Sequence, residues 1–238
     1  MNLYFLVEGA QSERKVYPAW LAHLLPELQR VNNCDDVNEK NYYLISGEGY
    51  PSLIYDFIPR AIAEINSNGK YSYFVVCLDA EENTVAELTT EIYDFLTEQK
   101  LKLNNAELVL IFQNRCLESW LLGNRKIYSR HPQNSKDTES QHLLDLLDYT
   151  EYYDVSVNCP EKMGKYPNFN THAHFHGAYL KALFIAKNTS YSKKRPGDVL
   201  KPFYLEQLLT RIQVQPEQLT TFRQFIDFCN KIKPKLQN

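Results

Sequence analysis

Four short apolar runs, each followed by a helical pattern, constrain this chain more than any other feature. The runs are Leu3–Val7, Tyr42–Ile45, Tyr73–Leu78 and Leu108–Phe112. Strands buried on both faces read as continuous apolar runs rather than alternating ones, and they belong to parallel sheets covered by helices. Between the runs, apolar residues recur at helical spacing. Val16, Trp20, Leu21, Leu24, Leu25 and Leu28 predict a helix over about residues 12–28, with Ser12 as N-cap and Pro18 and Pro26 as points of kinking or division. Ile54, Phe57, Ile58, Ile62 and Ile65 predict a second helix over 52–66, interrupted at Pro59. Val85, Leu88, Ile92, Phe95 and Leu96 predict a third over 84–98. A β-α-β-α order implies right-handed crossovers. The expected fold is therefore α/β and Rossmann-like: a mostly parallel sheet of about four strands flanked by helices.

The pattern changes after residue 125. Residues 129–140 read as a polar loop, and 148–177 are rich in Tyr, Asn, Pro and His with little periodicity. Helices are expected again near 177–187, 203–211 and 217–232. The expected organisation is an α/β domain over 1–125, with an α-rich C-terminal extension over 126–238 packed on it.

Composition excludes some classes. A net charge of −3 gives no global positive field for nucleic acid, though a local basic patch is compatible with it. Five cysteines, an odd number without a CxxC pair, suit reduced thiols and a cytoplasmic setting. The N-terminus reads as a strand rather than a signal peptide, since it lacks a basic segment and meets Glu8 early. No apolar run approaches the roughly 20 residues of a membrane span.

Three of the four runs end in acid. Glu8-Gly9 follows the first, Asp79-Ala80-Glu81 ends the third, and Glu118 stands beyond the fourth in Cys116-Leu-Glu-Ser-Trp-Leu-Leu122. The carboxyl ends of parallel strands form the ligand crevice of an open α/β sheet. Carboxylates collected there make an oxygen-rich pocket suited to Mg²⁺ or Mn²⁺. Gly9 lets the backbone turn and approach a phosphate. Asp79 and Glu81 project the same way if the strand persists through both. Glu118, in an apolar stretch, needs a cation or a hydrogen-bond donor, and Arg115 is the structural option. Arg115 also suits bidentate phosphate contact. Each motif has a plainer reading: a turn glycine beside a helix-end acid, a capping pair before Thr84, a core ion pair.

Elsewhere, Lys193, Lys194 and Arg195 form a basic turn able to meet a nucleic-acid backbone. Tyr149, Tyr152 and Tyr153 offer rings for base stacking or for packing. His172, His174 and His176 would converge on a metal only in an extended segment.

Together, Glu8-Gly9 and Asp79-Ala80-Glu81 resemble the Toprim domain of topoisomerases, bacterial primases and overcoming-lysogenization-defect nucleases. The segments Leu6–Glu13 and Cys116–Leu122 are similar to small stand-alone Toprim-like proteins of bacterial defence and mobile-element loci. The resemblance covers residues 1–125, and it departs at Glu81, where the family has Asp. It implies a Mg²⁺-dependent nuclease of phage or mobile-element defence. Asp79 and Glu81 would hold metal, Glu8 would be ligand or general base, and Glu118 would complete the site. Nucleic acid is the implied partner, with a protein encoded nearby as a further one. Two other readings stay open: a non-catalytic binding subunit, and a nucleotidyl- or phosphotransferase using the same pocket. The sequence does not fix the oligomeric state.

Overall fold

Five parallel strands make one sheet in the order β2-β3-β1-β4-β5 in a computed structural model that describes residues 1–128 and 141–237. They are β1 (Leu3–Val7), β2 (Gln29–Val31), β3 (Asn41–Ser46), β4 (Tyr73–Asp79) and β5 (Glu107–Gln113). The fold is α/β, with helices on both faces and a helical C-terminal half. The sheet has one strand more than the apolar runs predict. β2 is a three-residue edge strand, Gln-Arg-Val, whose residues are exposed or half-buried, so it carries no apolar signature.

Side-chain alternation divides the two central strands between two cores. Leu3, Phe5, Val7, Tyr73, Val75 and Cys77 face α1 (Glu13–Leu24). Tyr4, Leu6, Phe74, Val76 and Leu78 face α2 (Ile58–Asn68) and α3 (Val85–Glu98). β1 and β4 are buried throughout, which explains their unbroken apolar runs.

Proline sets two helix boundaries. α1 stops at Leu24 rather than at residue 28, because Pro26 drives Leu25 out of helical backbone to φ −135°, ψ 65°. The second predicted helix is split into a π-helical turn, Leu53–Phe57, and α2, whose first turn holds Pro59 where no backbone donor is needed. α3 begins as its sequence suggests, at a capping box between Thr84 and Glu87.

Beyond α4 (Leu117–Leu121), the C-terminal half contributes α5 (Gln141–Tyr152), α6 (His172–Ala186), α7 (Pro202–Val214) and α8 (Thr220–Gln237). The expected polar loop at 129–140 lies outside the described residues. The 148–177 stretch, expected to lack periodicity, holds the end of α5 and the start of α6. Its aromatics pack: Tyr149 touches Tyr166, Phe169, Phe175 and Tyr179 edge-on or tilted. The helical half shares the core of the sheet's α1 face. Phe222 and Phe225 of α8 pack on Trp20 and Trp120, and the Trp20 indole N–H donates to the Val199 carbonyl.

Two buried charges fasten this half. Arg211 of α7 donates to the carbonyls of Gly123, Val155 and Asn158 and to Gln218 Oε1. Glu161 accepts from the backbone N–H groups of Thr221 and Phe222 and so caps α8 from a distance. No helix among the described residues is long and apolar enough to cross a membrane.

Candidate functional site at the carboxyl edge of the sheet

β1 feeds α1 on one face and turns toward β3. β4 feeds α3 on the other face and turns toward β5. The connections diverge between the carboxyl ends of neighbouring strands β1 and β4, which is the topological switch point where α/β sheets bind ligands. Glu8 and Asp79 stand there.

The Glu8 carboxylate spans the opening. Its Oε2 accepts the Asp79 backbone N–H at 2.7 Å and its Oε1 accepts the Tyr50 N–H at 3.3 Å. Its carbonyl accepts the Ser46 hydroxyl at 3.0 Å, so three strand ends are tied through one residue. Burial raises its pKa to about 7 against the pull of those two N–H bonds, and the charges of Glu81 and Glu13 push the same way. Asp79 is 8% exposed, and its Oδ1 is buried with no hydrogen-bond donor. Burial holds its pKa well above the carboxylate range. The charges of Glu8, Glu13 and Glu118 add to that, and Lys193 opposes it. The register partner of Asp79, Gln113, gives its amide N–H to the Tyr17 hydroxyl at 2.6 Å and leaves its own buried Oε1 without a donor.

Glu118 is fully buried at the start of α4. Its Oε1 accepts the Tyr191 hydroxyl at 2.8 Å and lies 3.8 Å from Lys193 Nζ, while its Oε2 has no donor. The structural option of an Arg115 pair is not what forms. Arg115 Nη1 donates instead to the carbonyls of Glu81 and Asn83, which pins the loop after β4. Lys193 is half-exposed. Burial alone would lower its pKa, but the carboxylates of Glu118, Asp79 and Glu13 outweigh that and raise it. Lys194 and Arg195 are exposed beside it on a turn closed by backbone bonds between Ser192 and Arg195. Lys15 of α1 donates to the Lys194 carbonyl.

Glu81 departs from the expected geometry. β4 ends at Asp79, and Glu81 takes φ +47°, so strand alternation does not carry both acids to the same side. Glu81 is exposed, and its charge reaches Glu8 from the loop. Glu48 and Arg115, in the loops after β3 and β5, also have positive φ.

Glu13 belongs to the cluster although no motif singled it out. It is 4% exposed in the first turn of α1. Ser12, read as an N-cap, donates its hydroxyl to Glu13 Oε2 at 2.7 Å and caps nothing. Gly9 makes room for this arrangement, because a Cβ there would lie 2.1 Å from Glu13 Oε2. The spacing from Gly9 to Glu13 was the available signal, but an acid in a first helical turn ordinarily reads as a partner of the helix dipole.

The three histidines lie on α6, so they do not converge. His172 binds Glu82 through its backbone N–H and ring, and His174 is exposed. His176 is buried, with Nδ1 2.8 Å from Ser119 Oγ. Burial and the charges of His172 and Arg115 lower its pKa to about 3, so it stays neutral and anchors the helix that carries Glu118.

Among the described residues, no group of three or more His, Cys, Asp or Glu side chains is placed to hold a metal ion by itself. The chemistry nonetheless suits a hard cation, since the acceptors left without a donor at this edge are oxygens: Asp79 Oδ1, Gln113 Oε1 and Glu118 Oε2. Mg²⁺ takes one or two carboxylates and completes its shell with water and phosphate oxygens, so an all-protein cage is not required. In comparisons with family models, curated proteins and solved structures, nothing matches the chain.

Proposed function

We propose that this edge binds Mg²⁺ or Mn²⁺ and hydrolyses phosphodiester bonds of DNA or RNA, as the Toprim resemblance of the sequence implies. The observation that carries the reading is two buried carboxylate oxygens without donors, Asp79 Oδ1 at the switch point of the sheet and Glu118 Oε2 at the start of α4 beyond β5. An oxygen buried in this state has lost its hydration and gained no donor in return. A hard cation compensates it, and Glu8 and Asp79 are the residues that would hold one, with Glu81 approaching from the loop. When bound, such a cation supplies Lewis-acid charge at a phosphate oxygen.

The protein's own groups divide the remaining work. In the role of general base rather than ligand, Glu8, whose pKa burial raises, is suited to take a proton from the attacking water. Lys193 brings positive charge to the carboxylates, where a phosphate would sit. Lys194, Arg195 and Lys15 extend that charge along one side. Gly9 has no bulk to obstruct the turn. Arg115, through the backbone of Glu81 and Asn83, holds the loop that carries Glu81.

The test is incubation with single- and double-stranded DNA and RNA in Mg²⁺ or Mn²⁺, with EDTA and Asp79→Asn as controls. The reading predicts cleavage lost in both controls. Turnover of labelled nucleotides without strand cleavage would move the same pocket to phosphotransfer. Equal cleavage by Asp79→Asn, with contamination excluded, would remove the carboxylates from the chemistry.

A further inference from the structure

We infer that Tyr50 and Tyr55 form a stacking platform for an unpaired nucleobase at the mouth of the carboxylate edge. The inference deepens the nuclease reading and rests on it for the nature of the ligand. Both residues are 45% exposed, so aromatic surface is left open to a ligand. Both are also held in place. The Tyr50 and Tyr55 hydroxyls donate to the same oxygen of Glu91, at 3.2 and 2.7 Å. Tyr55 meets Phe95 edge-on at 5.0 Å. Two rings fixed by their polar tips, with surface left open, are organised before any ligand arrives, so little rotamer freedom is lost on binding.

Position supplies the second argument. The backbone N–H of Tyr50 is a hydrogen-bond donor to Glu8, so the platform begins one residue from the carboxylates. Tyr55, Glu91 and Phe95 belong to the α2–α3 side of the sheet. Lys15, Lys193, Lys194 and Arg195 belong to the α1 side, with the C-terminal half. The edge is thus basic on one side and aromatic on the other, with Glu8 and Asp79 between. A nucleotide has the same polarity, with a charged phosphate at one end and a flat base at the other. Glu91 keeps its charge on this side, but the group stacked beside it would be a neutral base, with the phosphate toward the basic side. A duplex hides the faces of its bases within its own stack, so tyrosine stacking selects unpaired ones.

The experiment measures binding apart from chemistry. Fluorescence anisotropy of a labelled oligo-dT strand and of a duplex of equal length, in Ca²⁺, would be followed for the wild type and three variants. These are Tyr50→Ala, Tyr50→Ala/Tyr55→Ala and Tyr50→Phe/Tyr55→Phe. Stacking is worth about 1–3 kcal/mol per base, so the double alanine variant should weaken single-strand binding by about 5- to 150-fold. Duplex binding should be weaker at the start and unmoved. The phenylalanine variant keeps its rings and should stay within about threefold of wild type. Single-strand binding unchanged in the double alanine variant overturns the platform, as does a phenylalanine variant as weak as alanine, or no binding of either probe. Cleavage in Mg²⁺, assayed in parallel, separates the two ideas. Cleavage with alanine-insensitive binding sinks the platform alone, and alanine-sensitive binding without cleavage sinks the nuclease reading alone.

Discussion

Glu8 carries the clearest consequence at the scale of single residues. Its folded pKa of about 7 exceeds that of an unfolded glutamate, so the native state holds a proton over a range where the unfolded chain has released it. The native fold is therefore favoured by this group at low pH, and that stability is lost as pH rises from about 4.5 through about 7. The metal-free protein should melt at a lower temperature at pH 8 than at pH 5.5, and Glu8→Gln should reduce the difference, leaving the part that Asp79 carries. Scanning calorimetry at both values checks this, and a Glu8→Gln protein with the full wild-type difference would place the effect elsewhere. Glu8, Asp79 and Glu118 were legible in the sequence because each breaks or ends an apolar run. Glu13 was not, since its burial depends on Gly9 and on the tertiary fit of α1. The placement of Glu81 was not either, because its left-handed backbone stands beside contacts to Arg115 that span more than thirty residues.

At the scale of elements, the turn from β1 into α1 offers the sharpest probe. Glu13 lies over Gly9 so closely that a methyl group there cannot coexist with it. The obstructing group is the end of a flexible side chain, so Gly9→Ala should displace the Glu13 carboxylate at small cost to the fold. We expect a fall of about 1 kcal/mol or less in stability, within the ordinary range for substitutions outside the core. We also expect Mn²⁺ affinity to change at least severalfold, because one of the charges around Asp79 has moved. A thermal melt beside calorimetric titration measures both, and unchanged affinity would detach Glu13 from the site. The strands that build the edge were readable because burial on both faces leaves apolar runs. β2 and α5 were not, for opposite reasons. β2 is short and solvent-facing, while α5 buries only Leu146 and Tyr149 and gains its place from an aromatic cluster assembled with α6 and its approach.

At the scale of the whole molecule, the C-terminal half is part of the sheet's own core. Tyr17, Trp20 and Trp120 lie against Phe222 and Phe225, and Lys193 reaches Glu118 from a segment more than seventy residues away in sequence. The boundary expected near residue 125 marks a change of pattern, but the packing continues across it. A fragment ending at 125 would expose those rings and leave Glu118 without Tyr191 and Lys193. It should lack cooperative unfolding by circular dichroism, whereas a cooperative melt near that of the full chain would mean that the shared core is dispensable. Periodicity reports which faces are apolar. It does not report which distant helix covers them, so the extension's packing on the sheet domain was expected from the sequence while its partners in the core were not.

The claim that the carboxylate edge is a cation site underlies all of this, and Mn²⁺ titration by calorimetry tests it most directly, using the full chain and the variants Asp79→Asn and Glu118→Gln. The account predicts saturable binding by the wild type and loss of at least tenfold in affinity for Asp79→Asn. It also predicts a smaller loss for Glu118→Gln, where Lys193 stays beside a neutral side chain, and melting temperatures that show both variants folded. Absence of saturable binding, or equal affinity in the wild type and a folded Asp79→Asn protein, would contradict it.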